Sequence, residues 1–83
     1  MFKNKADHGR NNISGARICQ LRKATVPKMS QRMLAERMQL LGVDLDKNAI
    51  QRIESGQRFV TDIELIAFSR VFGISCDELL KLD

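Results

Sequence analysis

Lys47, Asn48, Gln51 and Arg52 fall within six consecutive residues, interleaved with Ile50 and, just beyond, Ile53. Wound as a helix, that spacing turns the four polar side chains outward and the two isoleucines inward. Asn and Gln amides can each pair two ways with an adenine edge. Lysine can donate to guanine O6 and N7, and Arg52 could reach either a base or a phosphate. Two readings of this stretch stand side by side. It is a surface that bonds base edges in a major groove, or it is the solvated side of an ordinary amphipathic helix. The segment alone does not separate them.

The charge of the chain bears on the same question. Residues 1–58 hold 12 Lys/Arg against 5 Asp/Glu, and residues 59–83 hold 2 against 5, within an overall net charge of +4. A basic front and an acidic back suit a polyanion approaching one side, and equally serve solubility. Other chemistries find no residues to support them. The single histidine, His8, sits in a polar leader. The two cysteines, Cys19 and Cys76, are too few and too far apart for a disulfide scaffold or a zinc pattern. There are no paired carboxylates in an apolar stretch, no nucleophile elbow and no phosphate-binding glycine loop. No catalytic residue, metal ligand or cofactor is expected. Apolar runs are a few residues long against the ~20 a membrane-spanning helix needs, so no membrane association is expected. Met1 to Asn12 lacks the apolar centre of a secretory signal. A reducing cytoplasm is the expected location, with both thiols free and wholly or partly buried.

These residues must be positioned by a small fold. The 83 residues suffice for one domain, and 24 of them are Leu, Ile, Val or Phe, enough to build one core. Residues 1–12 read as a polar, aperiodic tail, and 13–83 as the domain. From Ser14 the pattern is helical. Ile18, Leu21 and Arg22 fall at helical spacing in a first helix that Pro27 prevents from running far. Ser30 is an N-cap for a second, with Leu34, Ala35, Met38 and Leu41 on one face and Gly42 as its stop. Asp46 caps a third through Lys47–Ser55, stopped by Gly56. Thr61 with Glu64 forms a capping box for a fourth, carrying Leu65, Phe68 and Phe72. Ser75 with Glu78 repeats the box for a short fifth carrying Leu79 and Leu80. No segment alternates with period two for long enough to be a strand. The fold class is all-α, five helices. Met29, Met33 and Met38 read as core or half-buried filler.

Taken in order, Ile18-x-x-Leu21-Arg22, Met29-Ser30-Gln31-x-x-Leu34-Ala35, Gly42-Val43, Ile50 through Arg58, and Leu65 through Leu80 resemble the lambda-repressor-like helix-turn-helix family of the Cro and Xre type. The likeness covers about residues 13–82. Ala35 is the small residue wanted where the second and third helices approach closely. Ala35 and Glu54 stand about five residues further apart than is usual in the family, because of a longer second helix and an enlarged turn, Leu40 to Asp46. The resemblance implies that Lys47, Asn48, Gln51 and Arg52 read bases, and that Gln31 contacts a phosphate and braces the recognition helix. It places Arg32 and Arg58 beside the groove, where each could neutralise a phosphate. It also points to a buried ion pair between Arg22 and Glu54, whose helical positions both lean inward beside Leu21 and Ile53. Phe59-Val60 lies where members often make dimer contacts; packing under the fourth helix is the other reading.

The function this implies is a sequence-specific, double-stranded-DNA-binding regulator of bacterial or phage type. It would be a repressor acting as a homodimer on a roughly palindromic operator and occluding a promoter. Two alternatives come from other classes. One is an antitoxin-like partner whose back face binds another protein and whose DNA binding is autoregulatory. The other is a protein-interaction module reusing the fold, against which the exposed Lys and Arg near Gln31, Lys47 and Arg58 speak.

Overall fold

Within residues 9–81, which the computed structural model describes, the chain forms five helices and no strand: α1 (Gly15–Ala24), α2 (Gln31–Leu40), α3 (Lys47–Ser55), α4 (Asp62–Phe72) and α5 (Cys76–Leu79). The starts follow from side chains that satisfy otherwise orphaned amides. Ser30 Oγ accepts from the Met33 amide at 3.0 Å, and Asp46 Oδ1 from that of Ala49 at 2.8 Å. Thr61 and Glu64 form a complete capping box at the start of α4. The second box is only half made. Ser75 accepts from the Glu78 amide at 3.2 Å, but the Glu78 carboxylate lies 3.7 Å from the Arg17 guanidinium instead.

Helix α1 starts differently. Ser14, 1% exposed, makes no side-chain cap, and Asn12 Oδ1 accepts from the Gly15 amide at 2.8 Å in its place. The packed domain therefore begins ahead of Ser14, inside the stretch expected to be a tail. Residues 1–8 of that tail, with His8, lie outside the described residues.

Helices α1 and α2 both pack on α3, and α4 packs on α2 and α5. The core they enclose contains Ile18, Met29, Leu34, Ala35, Met38, Leu45, Ile50, Ile53, Ala67, Phe68 and Leu79. Two expectations about the second helix fail here. Leu41 ends α2 rather than joining its buried face, and is 44% exposed. Met33, expected to be at least half-buried, is 37% exposed. The enlarged turn is anchored by Leu45, 2% exposed, and by the Gln39 side-chain amide donating to the Leu45 carbonyl at 3.0 Å. One buried leucine thus turns the six residues between α2 and α3 into a defined spacer.

Candidate nucleic-acid interface

Helix α3 has two dissimilar sides. Ile50 and Ile53 are fully buried, while Lys47, Asn48, Gln51 and Arg52 are all exposed. The buried isoleucines fix the rotation of the helix, and so fix which side chains form the outer ridge. At its end Gly56 takes a left-handed conformation (φ 85°), and its amide bonds the carbonyls of Arg52 and Ile53. A residue with a Cβ would be strained there, and the added carbon would fall 2.8 Å from the Arg10 guanidinium carbon.

The residue before last in α3, Glu54, joins three elements. Arg22 of α1 donates from Nε to Glu54 Oε2 at 2.7 Å and from Nη2 to Oε1 at 2.9 Å. Gln31 of α2 donates from Nε2 to the same Oε1 at 3.0 Å. Arg22 Nη1 also donates to the Met29 carbonyl at 3.0 Å. The two charged side chains are 9% and 5% exposed. Burial works to raise the carboxyl pKa of Glu54, but the bonds from Arg22 and Gln31 outweigh it and hold the group below the ordinary carboxylate value. The same bond to Glu54 raises Arg22 above its ordinary value. Gln31 thus braces the end of α3 through Glu54.

Sequence reasoning missed a second brace on α3. Asn12, 8% exposed, donates from Nδ2 to the carbonyls of Ile53 (2.9 Å) and Arg58 (2.8 Å), while its Oδ1 caps α1. The Asn11 amide donates to the Gly56 carbonyl at 2.7 Å, and Arg10 Nη2 to the Glu54 carbonyl at 2.8 Å. Carbonyls that a helix leaves unpaired at its C-terminus are thereby satisfied by the segment preceding α1. The approach is close: a Cβ on Gly15 would lie 2.0 Å from the Ile53 oxygen. Gly15, a residue without a Cβ in the first turn of α1, was the available signal, since glycine is what lets another backbone approach this closely.

The residues expected at phosphates are placed unequally. Arg32 is exposed and only loosely paired with Glu36, at 3.6 Å with side chains 81% and 62% exposed. Its charge is free to meet a polyanion. Gln31 borders a shallow depression of about 490 Å³ with Arg22, Lys28, Met29 and Ser30 at the start of α2. Exposed Lys28 was not anticipated, because the Pro27 segment has no periodicity from which to assign a face. Arg58 departs from the expectation. Its Nη1 and Nη2 donate to Glu64 Oε1 and Oε2 at 2.9 and 3.0 Å, and its charge is neutralised within the chain. Burial tends to raise the pKa of Glu64, yet the Arg58 contact and the Thr61 bonds hold it below the ordinary range. Of the presumed dimer pair, Phe59 is 56% exposed, while Val60 is half-buried against the core.

Both cysteines are free and half-buried. Among the described residues no His, Cys, Asp and Glu cluster could hold a metal ion, and no helix is long and apolar enough to cross a membrane.

No curated protein and no solved structure matches the chain. A helix-turn-helix family model matches residues 27–79, which run from Pro27 through α2, the turn, α3 and α4 to the last residue of α5. The matched stretch contains α2, the six-residue turn and α3, the last with a buried apolar side and an exposed polar ridge. The chain belongs to the helix-turn-helix family, as a DNA-binding regulator of the Cro/Xre type.

Proposed function

We propose that the protein is a sequence-specific transcriptional repressor of bacterial or phage type. Acting in the cytoplasm, it binds a roughly palindromic DNA operator as a homodimer and occludes a promoter. The observation that carries this reading is the ridge of Lys47, Asn48, Gln51 and Arg52 on a helix whose other side is locked by Ile50 and Ile53. Its polar ends lie at the start and first turns of α3, the part of a recognition helix that enters a major groove. Asn48 and Gln51 suit adenine, Lys47 suits guanine, and Arg52 reaches a base or a phosphate. Exposed Arg32 and Lys28, with Gln31 between them and the core, supply the backbone contacts that set register. Arg58, bound to Glu64, is left out of that set.

Selection of bound duplexes from a random pool tests this reading. The expected result is an enriched inverted repeat whose half-sites are spaced by about one helical turn, roughly 10–10.5 bp centre to centre, or a multiple of it. A pool that shows no enrichment over input would overturn sequence-specific binding. An enriched but unrepeated motif would overturn the dimeric operator.

A further inference from the structure

Helix α4 carries an outer face that the rest of the described chain leaves open. Asp62, Ile63, Ile66 and Arg70 lie within a single arc about 100° wide, at positions i, i+1, i+4 and i+8. All four are exposed, Ile63 by 69% and Ile66 by 50%. Leu41 and Val43 of the enlarged turn, with Ile63, Ile66, Ala67 and Arg70, line a depression of about 190 Å³. Leu40, next along the chain, is 86% exposed. Apolar side chains gathered in this way on a small domain mark a surface that something covers. The reading ridge is on a different helix, so DNA recognition by α3 does not account for it.

We infer that this face joins two copies of the chain, α4 against α4, antiparallel about a two-fold axis near Ile66. The order of charges supports a second copy rather than an unlike protein. Asp62 and Arg70 stand four residues either side of Ile66, about 6 Å along the axis in each direction. Antiparallel pairing centred on Ile66 sets Asp62 of each copy opposite Arg70 of the other. Parallel pairing would set like on like. A face that complements itself under a two-fold rotation is what an isologous dimer requires. Ile63, Ile66, Leu41 and Val43 form the apolar centre, and the two charge pairs at the rim fix direction more than affinity. The inference rests on the homodimer reading above and moves its contact from Phe59 to Ile66.

The test uses the full chain, with mass measured by sedimentation equilibrium and the fold of each variant checked by circular dichroism. Wild type is expected near twice the 9.5 kDa chain mass. Ile66→Glu should be monomeric at concentrations where wild type is dimeric, and Phe59→Ser should leave the mass unchanged. Asp62→Lys and Arg70→Glu should each weaken the dimer by about tenfold, and the double variant should recover most of that loss. A monomeric wild type, a dimeric Ile66→Glu, or a double variant no better than the singles would overturn the proposal. A monomeric wild type that still binds DNA would instead assign the face to a different protein. DNA binding is read separately, on a duplex carrying one half-site: Ile66→Glu should match wild type there. If wild type dimerises as expected but selects no DNA, the reading of α3 fails and the dimer stands.

Discussion

Glu54→Gln isolates what the charge of Glu54 contributes, because it keeps the shape of the side chain. In the wild type the carboxylate accepts three hydrogen bonds, two from Arg22 and one from Gln31. The amide leaves the buried Arg22 guanidinium with the Met29 carbonyl and one neutral oxygen, and sets its own NH₂ against donors. Removing one member of a buried pair costs about 3–5 kcal/mol. A domain of this length is stable by only about 4–12 kcal/mol. At roughly 4–8 °C per kcal/mol for this size, the melting temperature should fall by at least about 12 °C. The assay is thermal unfolding followed by circular dichroism, with urea unfolding as a check. A fall of less than about 4 °C, under about 1 kcal/mol, would show that the buried Arg22 does not depend on the charge of Glu54. Replacing both partners, as Arg22→Met with Glu54→Leu, should do less harm than either single change, because no charge is left stranded. The difference between wild type and Glu54→Gln should also depend on pH. Glu54 is held below the ~4.3 of an unfolded chain. Its contribution is therefore complete above that value and is lost as pH falls through the lower folded one. The two proteins should converge in acid.

On the selected operator, Gln51→Ala should cost about 1–3 kcal/mol and relax preference at one or two base pairs, whereas Arg32→Ala should weaken all sequences alike. An unchanged motif for Gln51→Ala in a repeat selection would show that the wrong side of α3 had been assigned to the bases. Arg58→Gln should lower the melting temperature by freeing Glu64, yet leave the slope of log affinity against log salt unchanged. A slope shallower by about 0.9 would return Arg58 to the phosphate contacts. Asn12→Ala strands the Gly15 amide and the Arg58 carbonyl, leaves the Ile53 carbonyl with the Gly56 amide alone, and should destabilise the domain by about 1–3 kcal/mol in urea unfolding. No change there would mean that the segment before α1 is not needed to hold α3.

The parts of this fold that were legible in the sequence are those set by local chemistry. Ser30, Asp46 and Thr61 cap helices from the positions their spacing predicts, and Ile50 and Ile53 orient α3 as its periodicity requires. Legibility failed where a side chain had two partners to choose from. Arg58 has the same composition-level signature as Arg32, but only Arg58 lies six residues before a carboxylate that the α4 capping box already holds in place. Glu78 went the opposite way, to Arg17 across the chain rather than back to its own cap. Asn12 was legible only in part. Its bond to the Gly15 amide is local, three residues along, but its surroundings look like a polar tail and the two carbonyls that its Nδ2 reaches are 41 and 46 residues away. The pairing of Arg22 with Glu54 was within reach because both sit beside apolar residues on helices, where an unpaired charge would be costly.

The anchoring of Arg10, Asn11 and Asn12 on the end of α3 determines where anything attached to the chain will sit. The polypeptide enters the domain beside Gly56, about 12 Å along the helix from Asn48. A histidine tag, fluorescent protein or linker fused directly ahead of residue 9 would start near the C-terminal end of α3, where, on the proposed reading of that helix, a basic tag would add non-specific DNA affinity and a bulky one would crowd the duplex. The same label placed after α5 starts from the helix that packs on α4. Affinities measured with amino-terminal fusions should therefore be compared with the cleaved protein before they are taken as properties of the ridge.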